Sequence, residues 1–185
     1  GMVVSVDKFT AVKMYDKVQH YWAIEKQNVI KERNAAKTKE ERDRLTAILD
    51  YMNKVEMAVI ISEDADENEK FANQGLDIAT HRAKMNYITP DGKDIEDRFK
   101  DVNDPLQLAF VCAMWLTGFD VPNLSTLYLD KPMKGHTLMQ AIARANRVYA
   151  DKSSGMVVDY VNVFKYMKKA LSEYATGDDG TEYPA

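Results

Sequence analysis

The chain has 185 residues and a mass of 21.1 kDa, a size that fits one domain with room for a helical appendage. With 45% apolar and 29% charged residues, eight Gly and five Pro, it is neither collagen-like nor a Pro/Gly-rich low-complexity chain. One Cys excludes an intrachain disulfide and a multi-thiolate metal site, the three His residues show no metal-ligand spacing, and no apolar run approaches a membrane span. A net charge of −4 argues against a domain that coats nucleic acid by bulk charge alone. The lone thiol suits a reducing, cytoplasmic setting. Gly1 ahead of Met2 reads as an expression-tag scar and is left out of the fold reading.

Met2-Val3-Val4-Ser5-Val6 is short, apolar and β-branched, and predicts a buried strand. Ala11, Met14, Tyr15, Val18 and Trp22 then recur at steps of three and four, the stripe of an amphipathic helix. From about 25 to 54 the chain is heavily charged, with Leu45, Ile48, Leu49 and Met52 as one narrow apolar line; this predicts an exposed helical excursion. Ala58–Ile61 reads as a second strand, ended by the acids Glu63, Asp64, Asp66, Glu67 and Glu69, which read as a solvated loop. Residues 67–101 read as helical pieces broken at Thr89-Pro90-Asp91-Gly92. Strands follow at Leu108–Val111, Thr126–Leu129 and Met156–Tyr160, with helices over Thr137–Val148 and Val163–Tyr174 and a frayed tail from Gly177. The strands are continuous apolar runs alternating with helices. This is the pattern of an α/β fold with a parallel sheet covered on both faces. In such sheets ligands sit at the carboxyl ends of the strands.

Two segments there carry chemistry. In the loop Cys112–Pro122, Gly118 can adopt backbone conformations closed to other residues, and Asp120 offers two acceptors suited to a pair of ribose hydroxyls or, equally, to capping a turn. In the following helix Gln140, Arg144 and Arg147 are spaced i, i+4, i+7 on one face, beside the small Ala141, Ala143 and Ala145. Two guanidiniums on one face suit a polyphosphate. The competing reading is a solvated face with paired arginines, but within the predicted helix no acid stands at i±4 to pair with them. A basic strip of Lys131, Lys134, Arg144, Arg147 and Lys152 lies between Asp130 and Lys152. Trp22, Trp115 and the methionines read as packing, Cys112 as a small buried residue, and His136 as a phosphate contact or a spacer before the helix.

The blocks Leu116–Pro122, Tyr128–His136, Leu138–Arg147 and Val157–Tyr160 together resemble the motor (restriction) subunit of type I restriction–modification enzymes, a branch of the superfamily 2 helicases and translocases. The match covers most of 104–174, and more loosely Met2–Tyr15. The resemblance implies a RecA-like, P-loop NTPase type domain with a helical insertion at about 25–54 and a C-terminal helix and tail at about 163–185, the second of two RecA-like domains that close on ATP and walk along duplex DNA. Met2–Ser5 stands at motif IV, 112–122 at motif V and 140–147 at motif VI. By that resemblance Gly118, Asp120, Gln140, Arg144 and Arg147 bind ATP, with Arg147 the finger on the γ-phosphate and Arg144 beside it as catalytic arginines. Ser5, Thr117, Lys131 and Lys134 are the DNA-backbone candidates. Cys112 and Ala113 stand where many superfamily 2 proteins carry a hydroxyl residue and an acid, so the strand contact there passes to Thr117 or to backbone amides.

The sequence contains no GxxxxGK[ST] phosphate loop and no Asp-Glu pair of the Walker B type. ATP and Mg2+ are therefore expected in the full-length protein, with none bound by this chain alone. The implied partners are the duplex backbone, an upstream RecA-like domain of the same polypeptide, and modification and specificity subunits, with no membrane. The parent would be an ATP-hydrolysing type I site-specific deoxyribonuclease; this chain alone would be inactive. The alternatives are the C-terminal domain of another superfamily 2 helicase or remodeller, and a non-catalytic nucleotide- or nucleic-acid-binding module.

Overall fold

The computed structural model describes residues 1–116, 118–133, 135–149, 152–166, 168 and 172. Its strands are β1 (Met2–Ser5), β2 (Glu56–Ile60), β3 (Leu106–Val111), β4 (Thr126–Asp130) and β5 (Met156–Asp159). They form one sheet in the order β2-β3-β1-β4-β5, and every pair is parallel. The first strand is thus the central one. Met2 pairs with Ala109 on one side and with Leu127 on the other. Gly1, set aside in the sequence reading, extends this pairing: its carbonyl accepts the Ala109 N–H at 3.1 Å.

Alternation along the strands divides the core in two. Met2, Val4, Ala58, Ile60, Ala109, Val111, Leu127 and Leu129 point to one face. There they meet Ile95 and Phe99 of α5 (Ile95–Lys100) and Leu138, Ala141 and Ala145 of α6 (Gly135–Ala145). Val3, Met57, Val59 and Phe110 point to the other face, against Ala11 and Val12 of α1 (Lys8–Ala35) and Phe71 of α3 (Glu67–Ala72). An all-parallel five-stranded sheet with helices on both faces is the RecA-like α/β architecture expected from the sequence.

The charged excursion is a helical hairpin that packs on the rest by its apolar stripe. α1 continues through the polar stretch to Ala35, and α2 (Lys39–Lys54) returns beside it. Asp7 accepts the Thr10 N–H at 2.7 Å and Thr38 the Glu41 N–H at 3.2 Å, so each helix start is capped by a side-chain oxygen. Val29, Ala36, Leu45, Leu49 and Met52 form a small core of their own. Trp22 joins it to the sheet-facing cluster, and its indole N–H reaches the Met52 carbonyl at 3.1 Å.

The acidic segment is not wholly solvated. Glu67 opens α3 and is buried, gripped on both oxygens by Arg82 of α4 (Ala79–Met85) at 2.9 and 2.7 Å. Arg82 also donates to the Ile61 carbonyl at 2.8 Å, tying these helices to the end of β2. At the opposite end of the sheet, buried Arg98 of α5 holds Asp104 and Glu56, just before β3 and at the start of β2. The strand ends shift by one or two residues, and the helix after β4 moves at both ends. α6 begins at Gly135 rather than near Thr137 and ends at Ala145 rather than Val148. Of the predicted last helix, 163–166 are helical, and its later part and the tail fall largely outside the described residues.

Candidate functional site

The site forms at the carboxyl ends of the strands, from the loop after β3 and the helix after β4. In the loop, Phe119 is buried and stacks on Trp115, centroids 4.2 Å apart and planes 12° from parallel, while Trp115 meets Phe99 of α5 at 5.2 Å. Trp115 holds a left-handed backbone, φ 66°, which costs free energy for a residue with a Cβ and persists because this aromatic stack fixes it. Asn123 donates to the carbonyls of Phe99 and Lys100 at 3.3 and 3.2 Å and fastens the loop's far side. With Phe119 anchored inward, the exposed residues either side of it, Gly118 and Asp120, line the cleft. Gly118 has φ 71°, a left-handed backbone that glycine adopts without steric cost.

α6 buries Leu138, Ala141 and Ala145 and turns Gln140, Ala143 and Arg144 toward the loop. Gly118, Phe119, Asp120, Gln140, Ala143, Arg144 and Arg147 line one cleft of about 330 Å³. All five ATP-binding candidates from the sequence are therefore brought together. Phe119 and Ala143 were not among them. Their only sequence signal is position, an aromatic between two site residues and a small residue one step before Arg144.

The two arginines differ sharply. Nε and one terminal nitrogen of Arg144 are buried without a hydrogen-bond partner. Burial pulls its guanidinium below the usual range, the neighbouring Arg147 charge lowers it further, and Asp120 opposes both. A desolvated cation with unmet donors is costly, and it is a receptor for an anion. Arg147 lies beyond the last residue of α6, not on its face, and its guanidinium is ion-paired with Asp120. The sequence argument against a paired arginine is thus corrected: the acid comes from the other loop, not from i±4.

The DNA candidates do not converge in the same way. Ser5 is fully buried with its hydroxyl unpartnered, so its side chain presents nothing to a duplex. Lys131 is half-buried and donates to the Cys112 carbonyl at 3.1 Å. Thr117 and Lys134 lie outside the described residues. Lys152 points inward: its ammonium donates to the carbonyls of Leu124 and Ala145 at 2.6 and 2.8 Å, and burial lowers its pKa. His136 is exposed. Asp159 accepts the N–H groups of Val161 and Phe164 at 3.0 and 2.9 Å, so the acid of the Val-Val-Asp-Tyr block shapes the turn after β5.

The donor set fits the anionic part of a nucleotide. Among the described residues no group of three His, Cys, Asp or Glu could hold a metal ion. None of the described helices is long and apolar enough to cross a membrane.

Residues 7–162 match the family model described as type I restriction enzyme subunit R domain 3. The chain is 55% identical over 91 residues, 48% of its length, to the type I restriction enzyme HindI endonuclease subunit of Haemophilus influenzae, covering 9% of that subunit. It is 49% identical over 87 residues, 45% of its length, to the putative MjaIXP endonuclease subunit of Methanocaldococcus jannaschii, covering 8% of that protein. It is 32% identical over 130 residues, 70% of its length, to the SauCOLORF180P endonuclease subunit of Staphylococcus aureus, covering 13% of that protein. The matched stretches thus span about a tenth of the length of these relatives. Since the family model runs from the start of α1 to just past β5 and takes in every residue of the cleft, the chain belongs to the type I restriction enzyme R subunits, as their domain 3.

Proposed function

We propose that this chain is the second RecA-like domain of an ATP-driven, DNA-translocating restriction subunit, and that it gives its motif V and VI residues to an ATP site completed by an upstream RecA-like domain. The observation that carries the reading is Arg144, a half-buried guanidinium with two unpartnered nitrogens, in a cleft that also holds Gln140, Asp120 and Arg147. Arg144 binds and orients phosphate oxygens from the cleft wall that it lines. Arg147 meets the charge that develops on the γ-phosphate in the transition state, where a fixed cation lowers the barrier most. Asp120 accepts from ribose hydroxyls or holds Arg147 in place. The chain supplies no phosphate loop and no metal cage among its described residues, so those parts fall to the upstream domain.

The test is DNA-stimulated ATP hydrolysis by the complete subunit. Arg147→Ala is expected to lower turnover by roughly 10³–10⁵, the range of arginine fingers in related NTPases, with a smaller change in nucleotide affinity. Arg147→Lys is not expected to restore it, because an ammonium lacks the planar fork. This chain alone, with ATP, Mg2+ and DNA, is expected to release no phosphate above a buffer blank. The Asp120–Arg147 pair favours a second reading, in which Arg147 only braces the loop; near-normal turnover in Arg147→Ala would select it.

A further inference from the structure

The segment after α6 holds the end of that helix from two sides. Carbonyls in the last turn of a helix lack intrahelical partners and carry partial negative charge. The Lys152 ammonium donates at 2.8 Å to the carbonyl of Ala145, the last residue of α6. It also donates at 2.6 Å to the carbonyl of Leu124, a buried residue between the cleft loop and β4. One side chain therefore bolts the end of the motif VI helix to the far end of the loop that carries Gly118 and Asp120. The backbone adds to this: Tyr149 and Lys152 exchange both N–H···O bonds, at 3.1 and 2.8 Å. Gly155 lies so close against the same helix end that a Cβ there would come within 2.0 Å of the Ala145 carbonyl oxygen. Arg147 sits between these fixed points, two residues past the end of α6, and spans the cleft to Asp120.

We propose that Lys152, with Gly155, is a positioning residue for Arg147: together they clamp the carboxyl end of α6 to Leu124 and so aim the Arg147 guanidinium across the cleft. This rests on the half-site reading above. Lys152 touches neither phosphate nor DNA; it acts through where it holds Arg147.

The experiment measures kcat and KM for DNA-stimulated ATP hydrolysis by the complete restriction subunit. Lys152→Met removes both hydrogen bonds and keeps much of the side chain's length. It is expected to lower kcat by about 10²-fold, as for a catalytic group displaced by roughly an ångström. KM should stay within about threefold, because ground-state binding is retained. Gly155→Ala leaves every charge in place and forces the helix end to shift, so it should give the same split; it carries the test if Lys152→Met fails to accumulate as folded protein. In an Arg147→Ala background neither change should lower kcat further, since residues acting through one group are not additive. Lys152→Met and Gly155→Ala with kcat near the parent's, or an added loss on top of Arg147→Ala, would overturn the clamp alone. Full turnover in Arg147→Ala would overturn the catalytic role of Arg147 and the clamp with it, whereas phosphate release by this chain alone would overturn the half-site reading.

Discussion

Arg144 and Arg147 are three residues apart and sit in opposite electrostatic situations. Arg147 has a carboxylate; Arg144 has buried nitrogens with nothing to donate to. The domain carries the Arg144 cost in its free state, and an anion relieves it. Arg144→Met should therefore stabilise the domain, since an unpartnered buried polar group is replaced by an apolar one of similar length. A gain of about 1 kcal/mol corresponds to roughly 2–4 °C in Tm for a chain this size. The same change should remove most ATP hydrolysis by the complete subunit. A thermal melt of the domain beside an ATPase assay of the subunit checks both halves; a fall in Tm would mean that the guanidinium is satisfied in solution. Asp120→Asn separates the two roles of its carboxylate. Loss of ribose contacts should weaken the use of ATP more than that of dATP, which has one hydroxyl fewer. An equal loss would leave the Arg147 pairing as the reason the acid is there. The sequence made these residues legible as a set because Gly118, Asp120, Gln140, Arg144 and Arg147 sit in two compact blocks. It could not show that Asp120 and Arg147 face each other, which depends on two loops meeting over the sheet, nor that Lys152 turns inward instead of joining the basic strip.

At the scale of elements, the strands were readable because both faces of the sheet are covered, which leaves unbroken apolar runs such as Met57–Ile61. The α1–α2 hairpin was half-readable: the stripe Leu45, Leu49, Met52 marked its contact side, but the charged residues 25–35 gave no sign that α1 simply continues. Glu67 was misread for a physical reason. It stands in a run of acids, and only its fold partner Arg82, fifteen residues on, distinguishes it. That pairing predicts a pH effect. The Arg82 hydrogen bonds hold the Glu67 carboxyl below its ordinary range, against the opposing effect of burial. With the folded pKa below the unfolded one, the unfolded chain takes up the proton first as pH falls, so this stabilisation is full at neutral pH and fades through the carboxylate range. Glu67→Gln should cost about 3 kcal/mol at pH 7, as expected for a buried pair stripped of one partner. The gap between parent and variant should narrow as the pH drops below about 4. Denaturant melts at several pH values measure it; a gap that stays constant would mean the pair does not exist in solution. The hairpin's own core is small, so Leu49→Ala should open it locally. Hydrogen exchange should rise across α2 while the sheet stays protected.

At the scale of the whole molecule, charge limits how a domain with the proposed function would meet DNA. The net charge is −4, and of the basic strip Lys131 and Lys152 already donate to backbone carbonyls while Arg147 pairs with Asp120. The isolated domain should therefore bind duplex weakly, without sequence preference, and release it near physiological salt. Affinity against salt on two unrelated duplexes tests this. Each true phosphate contact should account for about one unit of slope, and Lys131→Ala should remove less than that because its ammonium is partly committed. The strand order has one more consequence. Within this domain the central strand precedes both of its neighbours: Met2 must wait for Ala109 on one side and for Leu127 on the other before both sides are closed. Closing such long loops is entropically slow, whereas the α1–α2 hairpin needs only local contacts. During synthesis the hairpin can therefore form while Met2–Ser5 remains an unpaired apolar segment. An apolar strand with both edges open is prone to aggregate, and here that exposure ends only once β3 and β4 are in place.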